Sequence, residues 1–488
     1  MEQYGIKEIP QKDRHSEPRH IFTILVGANL TFGLIVLGWL PIAFGLSWWG
    51  SFTSIIVGSA AGAVIMAPMA LIGPRTGTNG PVSSGAMFGV VGRIIGSLIA
   101  LLIALGFYAL AVWTGGQVAV YGANRLFGLP KGDVTLSIAY GVIALIAIAA
   151  AVYGYHYLLK IEKILIPTAG LVLLIGFFVY AGHFDPGYGG GEYLLGTFWP
   201  TWMLSVTISA GAAFGWAPFV NDWSRYIKKD TWSDRSLLTA TGLGTFVGVA
   251  FPLAFGAYTA VAIGDVTVPY VDGLVGITPM AYLLPLMAVG IFGSLGQSTV
   301  CIYSNGLDFS SIFPVFTRVP ATLILSGIGL LFIYLGTLVW DAEATVVAFV
   351  GLFSVLAAPW ISITVIGHLR RRGFYDVVAL QVFNRGERGG IYWYSGGVNL
   401  RSCVAWVVAS AVGLLMVHND LYAGPWSGWA DGIDMSWISA LVVGGVVYLL
   451  LEAVLPEPRE VYGPAASVRS GSLRAEPAPL IPDGSGQE

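Results

Sequence analysis

The chain has 488 residues, of which 56% are hydrophobic and 10% charged, with a formal net charge of -3 and a mean hydropathy of +0.75. That composition lies far from the soluble average and marks a polytopic membrane protein, excluding a water-soluble enzyme or a nucleic-acid-binding domain. The small net charge says little about partners.

A bilayer span needs about 20 mostly apolar residues. Twelve segments qualify, at roughly 21 to 46, 52 to 72, 95 to 123, 134 to 154, 163 to 181, 199 to 221, 237 to 263, 279 to 304, 320 to 340, 344 to 367, 402 to 418 and 434 to 455. Cytoplasmic loops collect positive charge. With the N-terminus inside, all 24 lysines and arginines except Arg125 and Lys131 fall on that side. The count and the orientation support each other, so both termini are expected in the cytoplasm and the protein in the plasma membrane. The expected organisation is a tail over 1–20, five spans within 21–182, five within 183–368, a cytoplasmic loop over 369–401, two more spans within 402–455, and a tail over 456–488. The last tail is rich in Pro, Ser, Gly and Ala and is expected to be disordered. No cleavable secretory signal is evident, because about twenty polar residues precede the first span.

Polar interruptions inside the spans carry the chemistry. Span 1 reads Gly27-Ala28-Asn29-Leu30-Thr31-Phe32-Gly33. It is either a helix break at Asn29 or a small-residue packing face with Asn29 bonded to a neighbour. Span 3 contains Trp113-Thr114-Gly115-Gly116-Gln117. The spacing of four puts the indole and the amide on one face, suited to a planar polar ligand. The same pair equally suits an outer aromatic belt and a bond to another helix.

Span 6 holds the densest interruption, Phe214-Gly215-Trp216-Ala217-Pro218-Phe219-Val220-Asn221-Asp222-Trp223-Ser224-Arg225-Tyr226. Gly215 and Pro218 weaken a helix near mid-depth, and the freed carbonyls need another partner, a helix or a solute. Span 8 offers Ser294, Gln297, Ser298 and Thr299, then Tyr303-Ser304-Asn305. Its hydroxyls, with carbonyls of an unwound span 1, would suit a small hard cation. Alternatively each hydroxyl bonds back to its own helix. Spans 1 and 6 stand five apart, so the second crosses in the opposite direction, as an inverted five-plus-five repeat requires. That pattern argues for alternating access.

No P-loop, Gly-x-Ser-x-Gly elbow or paired intramembrane carboxylates are present, so neither an ATP-driven pump nor a membrane hydrolase, nor any other enzyme, is expected. The six histidines sit in tails, loops or span ends without metal spacing, and no metal beyond a coupling ion and no cofactor is expected. Cys301 and Cys403 read as small buried hydrophobes. A channel would show a continuous polar stripe, and a receptor an output domain. Neither is visible.

These residues resemble the nucleobase:cation symporters of family 1, in particular the purine/cytosine permease branch. The resemblance runs from about 21 to 455. It is carried by Ala28-Asn29-Leu30, Gly73-Pro74-Arg75-Thr76-Gly77, Ser84-Gly85-Ala86-Met87-Phe88-Gly89, the Phe214–Tyr226 stretch, Ile302-Tyr303-Ser304-Asn305-Gly306-Leu307 and Gly396-Gly397-Val398-Asn399. It implies an all-α LeuT-type fold of about twelve transmembrane helices, with spans 1–5 and 6–10 as the inverted repeat and two extra helices. It also implies import of a nucleobase or related planar heterocycle by cation symport, with hydantoin, allantoin, a nucleoside or a thiamine-like vitamin as alternative cargoes. Trp113 and Gln117 match the family's substrate positions; Phe214 or Trp216 supplies the second aromatic, and Ser304 or Asn305 the polar group of span 8. Sodium is the favoured coupling ion, ligated by Ala28, Leu30 and Leu295 carbonyls and the Ser298 and Thr299 hydroxyls. A proton is the alternative. The expected partners are the heterocycle and membrane lipids, with no nucleic acid, and the working unit is a monomer.

Overall fold

The computed structural model describes residues 4–463 apart from 154, 314, 317, 339–341, 420 and 421. Among the described residues there is no β-strand, only isolated bridges. The helices in chain order are α1 (Pro18–Asn29), α2 (Phe32–Ala43), α3 (Trp48–Met66), α4 (Ile72–Thr76), α5 (Gly80–Phe88), α6 (Ile94–Phe127), α7 (Asp133–Tyr153), α8 (Tyr155–Val179) and α9 (Phe198–Phe214). There follow α10 (Val220–Ser224), α11 (Asp234–Ile263), α12 (Tyr270–Ile277), α13 (Met280–Ile312), α14 (Arg318–Leu338), α15 (Ala342–Arg370), α16 (Val377–Leu380), α17 (Leu400–Met416) and α18 (Ser436–Val454).

Eight described helices are long and apolar enough to cross a bilayer, and the bent pair α1 and α2 makes a ninth. Helix α8, the shorter α17 and α9 with α10 lie at the remaining expected spans. Among the described residues this test alone therefore stops short of twelve, since the eleventh span is short and the sixth is broken. Large apolar side chains such as Val64, Val134, Leu145, Phe178 and Val446 are exposed on the outside, as a lipid-facing surface requires.

Both breaks have local causes. Leu30, with ψ 65°, leaves the helical region after Asn29. Thr31 is extended and caps α2, its hydroxyl accepting from the Leu34 N–H at 3.5 Å. The two halves bend by 64°. In the sixth span α9 ends at Phe214, and 215–219 run through turns closed by Ala217 N to Phe214 O, 2.9 Å, and Val220 N to Trp216 O, 3.0 Å. Pro218 has no N–H to continue the ladder.

Without a hydrophobic drive between helices in lipid, close backbone approach through small residues holds spans together. Helices α1 and α2 lie on α11: a Cβ on Gly38 would stand 2.0 Å from Leu253 O, one on Gly256 1.9 Å from Ile35 O, and one on Gly248 2.5 Å from Leu25 O. The broken sixth span lies on α3 in the same manner, with Cβ positions on Gly58 and Gly62 each 2.5 Å from a carbonyl oxygen, of Val206 and Ala210 respectively. Exchanging spans 1 and 6, and 7 and 2, maps one contact onto the other, as an inverted repeat demands. The third and eighth spans, α6 and α13, pack antiparallel through Gly115 against Ser294 and Gly122 against Met287.

Two terminal segments are more ordered than their composition suggests. Residues 5–16 form a strap across the face that carries both ends of the described chain. Arg14, buried, donates to Ile9 O at 2.7 Å and Pro74 O at 2.8 Å; Ile9 N donates to Gly77 O at 3.0 Å and Ser16 N to Tyr226 O at 2.9 Å. Arg225 reaches back to Gly5 O at 2.7 Å, and Gln381 to Ile6 O at 3.4 Å. At the other end, residues 456–463 are held because buried Glu457 pairs with buried Arg371 and accepts from Asn399 at 2.7 Å. Residues 464–488 of the expected disordered tail lie outside the described residues.

Candidate functional site

The two helix breaks meet. The indole Nε1 of Trp216 donates to Asn29 Oδ1 at 2.9 Å, while Asn29 Nδ2 donates to Leu25 O at 2.7 Å in its own helix. Trp216 further packs on Trp223 and Phe219, with ring centroids 5.8 and 6.2 Å away. Phe214 points elsewhere. It is fully buried against Trp437 of α18, ring centroids 5.8 Å apart, so only Trp216 of the two aromatics is tied to the break in span 1.

Gly215 lies beside Phe107 of α6 and Phe353 of α15. The Pro218 carbonyl abuts Gly80, where a Cβ would stand 2.2 Å from its oxygen. That close approach explains the glycine at the start of α5.

Trp113 is half-buried and lines an apolar cavity with Gly106, Leu110, Phe332, Val346 and Phe349, between α6, α14 and α15. Gln117 stands one turn further along the same face and is also half-buried. Leu110 of this face reaches span 1, its Cγ lying 3.1 Å from where a Cβ on Gly33 would be. The face therefore borders the break in span 1 on one side and the cavity on the other.

Helix α13 presents a run of buried polar atoms that find no hydrogen-bond partner: Ser294 Oγ, both amide atoms of Gln297, Ser298 Oγ, Asn305 Oδ1 and Asp308 Oδ2. Offsets of three, four, eleven and fourteen residues from Ser294 place them along one side of the helix. Buried polar groups are ordinarily paired, so such a row calls for an explanation. At its upper end Gly293 faces the break, with a Cβ position 2.9 Å from Leu30 O. Gln297 Oε1 lies 3.5 Å from the Cβ position of Gly33.

The cation candidates divide in two. Leu30 offers its carbonyl toward Gly293, and Ser298 carries an unpartnered hydroxyl beside Leu295 on the same helix. Thr299 instead donates to Leu295 O at 2.6 Å, although its acceptor lone pairs stay open. Ala28 is buried in the last turn of α1, two residues before Leu30.

Ser304 donates to Asp222 Oδ2 of α10 at 3.2 Å, toward the strap face. Nearby, Asn79 donates to Asp308 Oδ1 at 3.4 Å. Ser304 thus takes part in a polar contact between spans 6 and 8, whereas Asn305 keeps a free acceptor. In the sequence Gln297 stands inside the polar stretch of span 8 but carries no assigned role there. Its spacing from Ser294 was the available signal.

The remaining motifs interlock in pairs away from the breaks. Gly73 N donates to Asn221 Oδ1 at 3.1 Å, which seats the Gly73–Gly77 loop on α10. Asn399 donates from its N–H to Phe88 O at 2.8 Å and from its amide to Met87 O at 2.6 Å, and Val91 N bonds Gly397 O at 2.8 Å. Those stretches hold the strap face together rather than approaching Trp113 or Trp216.

Comparison with known proteins adds an independent line. The family described as permease for cytosine/purines, uracil, thiamine and allantoin matches residues 8–439. The chain is 25% identical over 467 residues to YxlA of Bacillus subtilis (strain 168), described as a purine-cytosine permease, covering 92% of this chain and 96% of the relative. It is 25% identical over 309 residues to the purine-uracil permease NCS1 of Arabidopsis thaliana, spanning 50% of that protein. Among solved structures it is similar to Mhp1, a nucleobase-cation-symport-1 family transporter, in a closed conformation with bromovinylhydantoin bound: TM-score 0.71, 17% identity, 94% of this chain and 97% of that one. Inward-facing Mhp1 gives 0.73 at 18% identity, over 96% and 97% of the two chains. A Na+-coupled sialic acid symporter in an outward-open state gives 0.60 at 12% identity, over 92% of each chain. The fold is therefore of the LeuT type, with the two broken spans at its centre.

Proposed function

Because the chain belongs to the family of permeases for cytosine/purines, uracil, thiamine and allantoin, we propose that it imports a nucleobase-type planar heterocycle across the plasma membrane, with sodium as the coupling ion. It is a multi-pass membrane permease, and transport of this class is cation-coupled. In this reading a flat ring lies between Trp113 and Trp216, and the amide of Gln117 bonds its edge. Stacking on an aromatic face is worth roughly 1 to 3 kcal/mol for any flat ring, whereas a hydrogen-bonded edge selects among rings.

The observation that carries this reading is the row of buried, unpartnered polar atoms on α13, whose Gln297 end lies beside the break in span 1. A site that leaves buried donors and acceptors unmatched is costly unless a solute completes it. Sodium would take Ala28, Leu30 and Leu295 carbonyls with the Ser298 and Thr299 hydroxyls, a hard-oxygen donor set fitting a hard cation. The sodium coupling and bound hydantoin stated for structural neighbours support this proposal and leave hydantoin-like rings as the second cargo class. Binding to either break from opposite sides, in a monomer with both termini in the cytoplasm, gives alternating access.

The test is uptake by cells or proteoliposomes of radiolabelled cytosine, uracil, adenine, hypoxanthine, allantoin and a hydantoin, with and without a sodium gradient. Concentrative, sodium-dependent uptake of at least one ring is expected. Absence of concentrative uptake of all six overturns the reading.

A further inference from the structure

Gln297 belongs to the polar stretch of span 8 but has no part in the substrate and cation sets proposed above. Its side chain is 1% exposed, and neither Nε2 nor Oε1 has a hydrogen-bond partner. Helix α13 descends antiparallel to α6, with Gly290 beside Val118 and Ser294 beside Gly115. The Gln297 side chain runs back toward the break, its Oε1 coming within 3.5 Å of the Cβ position on Gly33, where Leu110 also touches. The amide therefore sits where span 1 resumes as a helix, beside Leu110, which lies about one turn before Trp113 on α6.

Its surroundings on that side are apolar: Leu110 and the glycine. A buried primary amide among such neighbours has a donor and an acceptor side by side and nothing on the protein to satisfy either. Ser294, one turn earlier on α13, adds a third unpartnered atom.

We propose that Gln297 is a specificity-determining residue, reading an edge on which a ring donor and a ring acceptor stand next to each other. This rests on the nucleobase-type reading above and adds to it the class of edge recognised. A carboxamide offers N–H and C=O about as far apart as a lactam presents C=O and N–H, or an aminopyrimidine presents a ring nitrogen and an amino group. Turning the amide over reverses its polarity, so Gln297 accepts either order. It rejects an edge whose donor is blocked by a methyl group, or one with two acceptors, because a buried group then stays unmatched.

Gln297→Met keeps the length and packing of the side chain and removes both polar atoms. The measurement is competition of a transported base by its singly N-methylated isomers, in the native protein and in the variant. The native protein is expected to reject at least one isomer, and the variant to bind the parent base roughly 10- to 100-fold more weakly. In the variant, discrimination against that isomer collapses, while discrimination against isomers read by Gln117 survives.

Equal affinity for the parent base and an unchanged ranking of isomers in a variant that still transports would overturn the assignment. Should Gln297→Met not fold, Gln297→Asn supplies the test: it retains polarity but withdraws the amide by one methylene, and the same loss of isomer ranking is expected. Native protein that binds none of the bases defeats the transport reading instead, so the two failures are separable.

Discussion

The indole of Trp216 donates to the side-chain oxygen of Asn29, 2.9 Å away, across 187 residues of chain. One bond joins the unwound points of the first and sixth spans, the two segments that an inverted repeat makes equivalent. Asn29 is held in turn by its own bond to Leu25 O, so the acceptor of the indole is itself anchored to α1.

Replacing Asn29 by Leu leaves a buried indole N–H without an acceptor, a cost of about 1 to 3 kcal/mol. Substrate affinity should fall by about 5- to 100-fold, with a lowered melting temperature in detergent. Asn29→Asp keeps the acceptor and should retain more uptake. Equal activity of Asn29→Leu and the native protein would show that the bond does not position Trp216.

Trp113→Ala removes a stacking face and should weaken apparent affinity for every flat substrate by about the same factor, since stacking tolerates any ring. Trp113→Phe should recover most of the loss. Competition assays across the panel check this: a loss confined to one base would point to edge recognition instead.

Ser298→Ala and Thr299→Ala should each raise the sodium concentration needed for half-maximal uptake several-fold. The Ser298 hydroxyl has no other engagement, while that of Thr299 donates to Leu295 O but can still accept. The Ser298 effect is expected to be the larger. Unchanged sodium dependence in both variants would favour proton coupling.

Gly38→Ala forces a methyl to within 2.0 Å of the Leu253 carbonyl. Overpacking of this kind costs roughly 1 to 3 kcal/mol, and here the obstacle is backbone, which cannot rotate away. Thermal unfolding in detergent should show a clear drop, and Gly276→Ala, with nothing within 4 Å, should be close to neutral.

Arg371→Met leaves Glu457 buried without its cation, which typically costs about 3 to 5 kcal/mol. Adding Glu457→Gln should restore much of the stability. A double-mutant cycle read by thermal unfolding tests this, and additivity of the two losses would show that the pair is not coupled.

How much of this arrangement could be read in advance depends on the kind of signal. The span positions, the breaks after Asn29 and Phe214, and the pairing of spans 1 and 6 follow from hydropathy and from Gly, Pro and Thr chemistry, which act locally. Which way a side chain turns beyond a break does not. A few unwound residues rotate the chain by an amount that the tertiary contacts set, which is why Phe214 faces Trp437 while Trp216 faces Asn29. The same holds along α13, where a hundred degrees per residue separates Ser304, turned to Asp222, from Asn305. Residues 5–16 and 456–463 look like free tails by composition. Their order comes from a few buried anchors, Ile9, Arg14 and Glu457, whose partners are far away in the chain.

The strap of residues 5–16 is sewn to three places at once: the Pro74–Gly77 loop, the Arg225–Tyr226 end of the sixth span, and Gln381 in the loop between the tenth and eleventh. These belong to three different parts of the fold, so any path opening between them on that face would have to break the strap's bonds. Opening then has to unpick a seam rather than merely tilt a helix. An affinity tag fused at residue 1 would hang from that seam, and trimming the chain back to Pro18 would remove the stitch altogether.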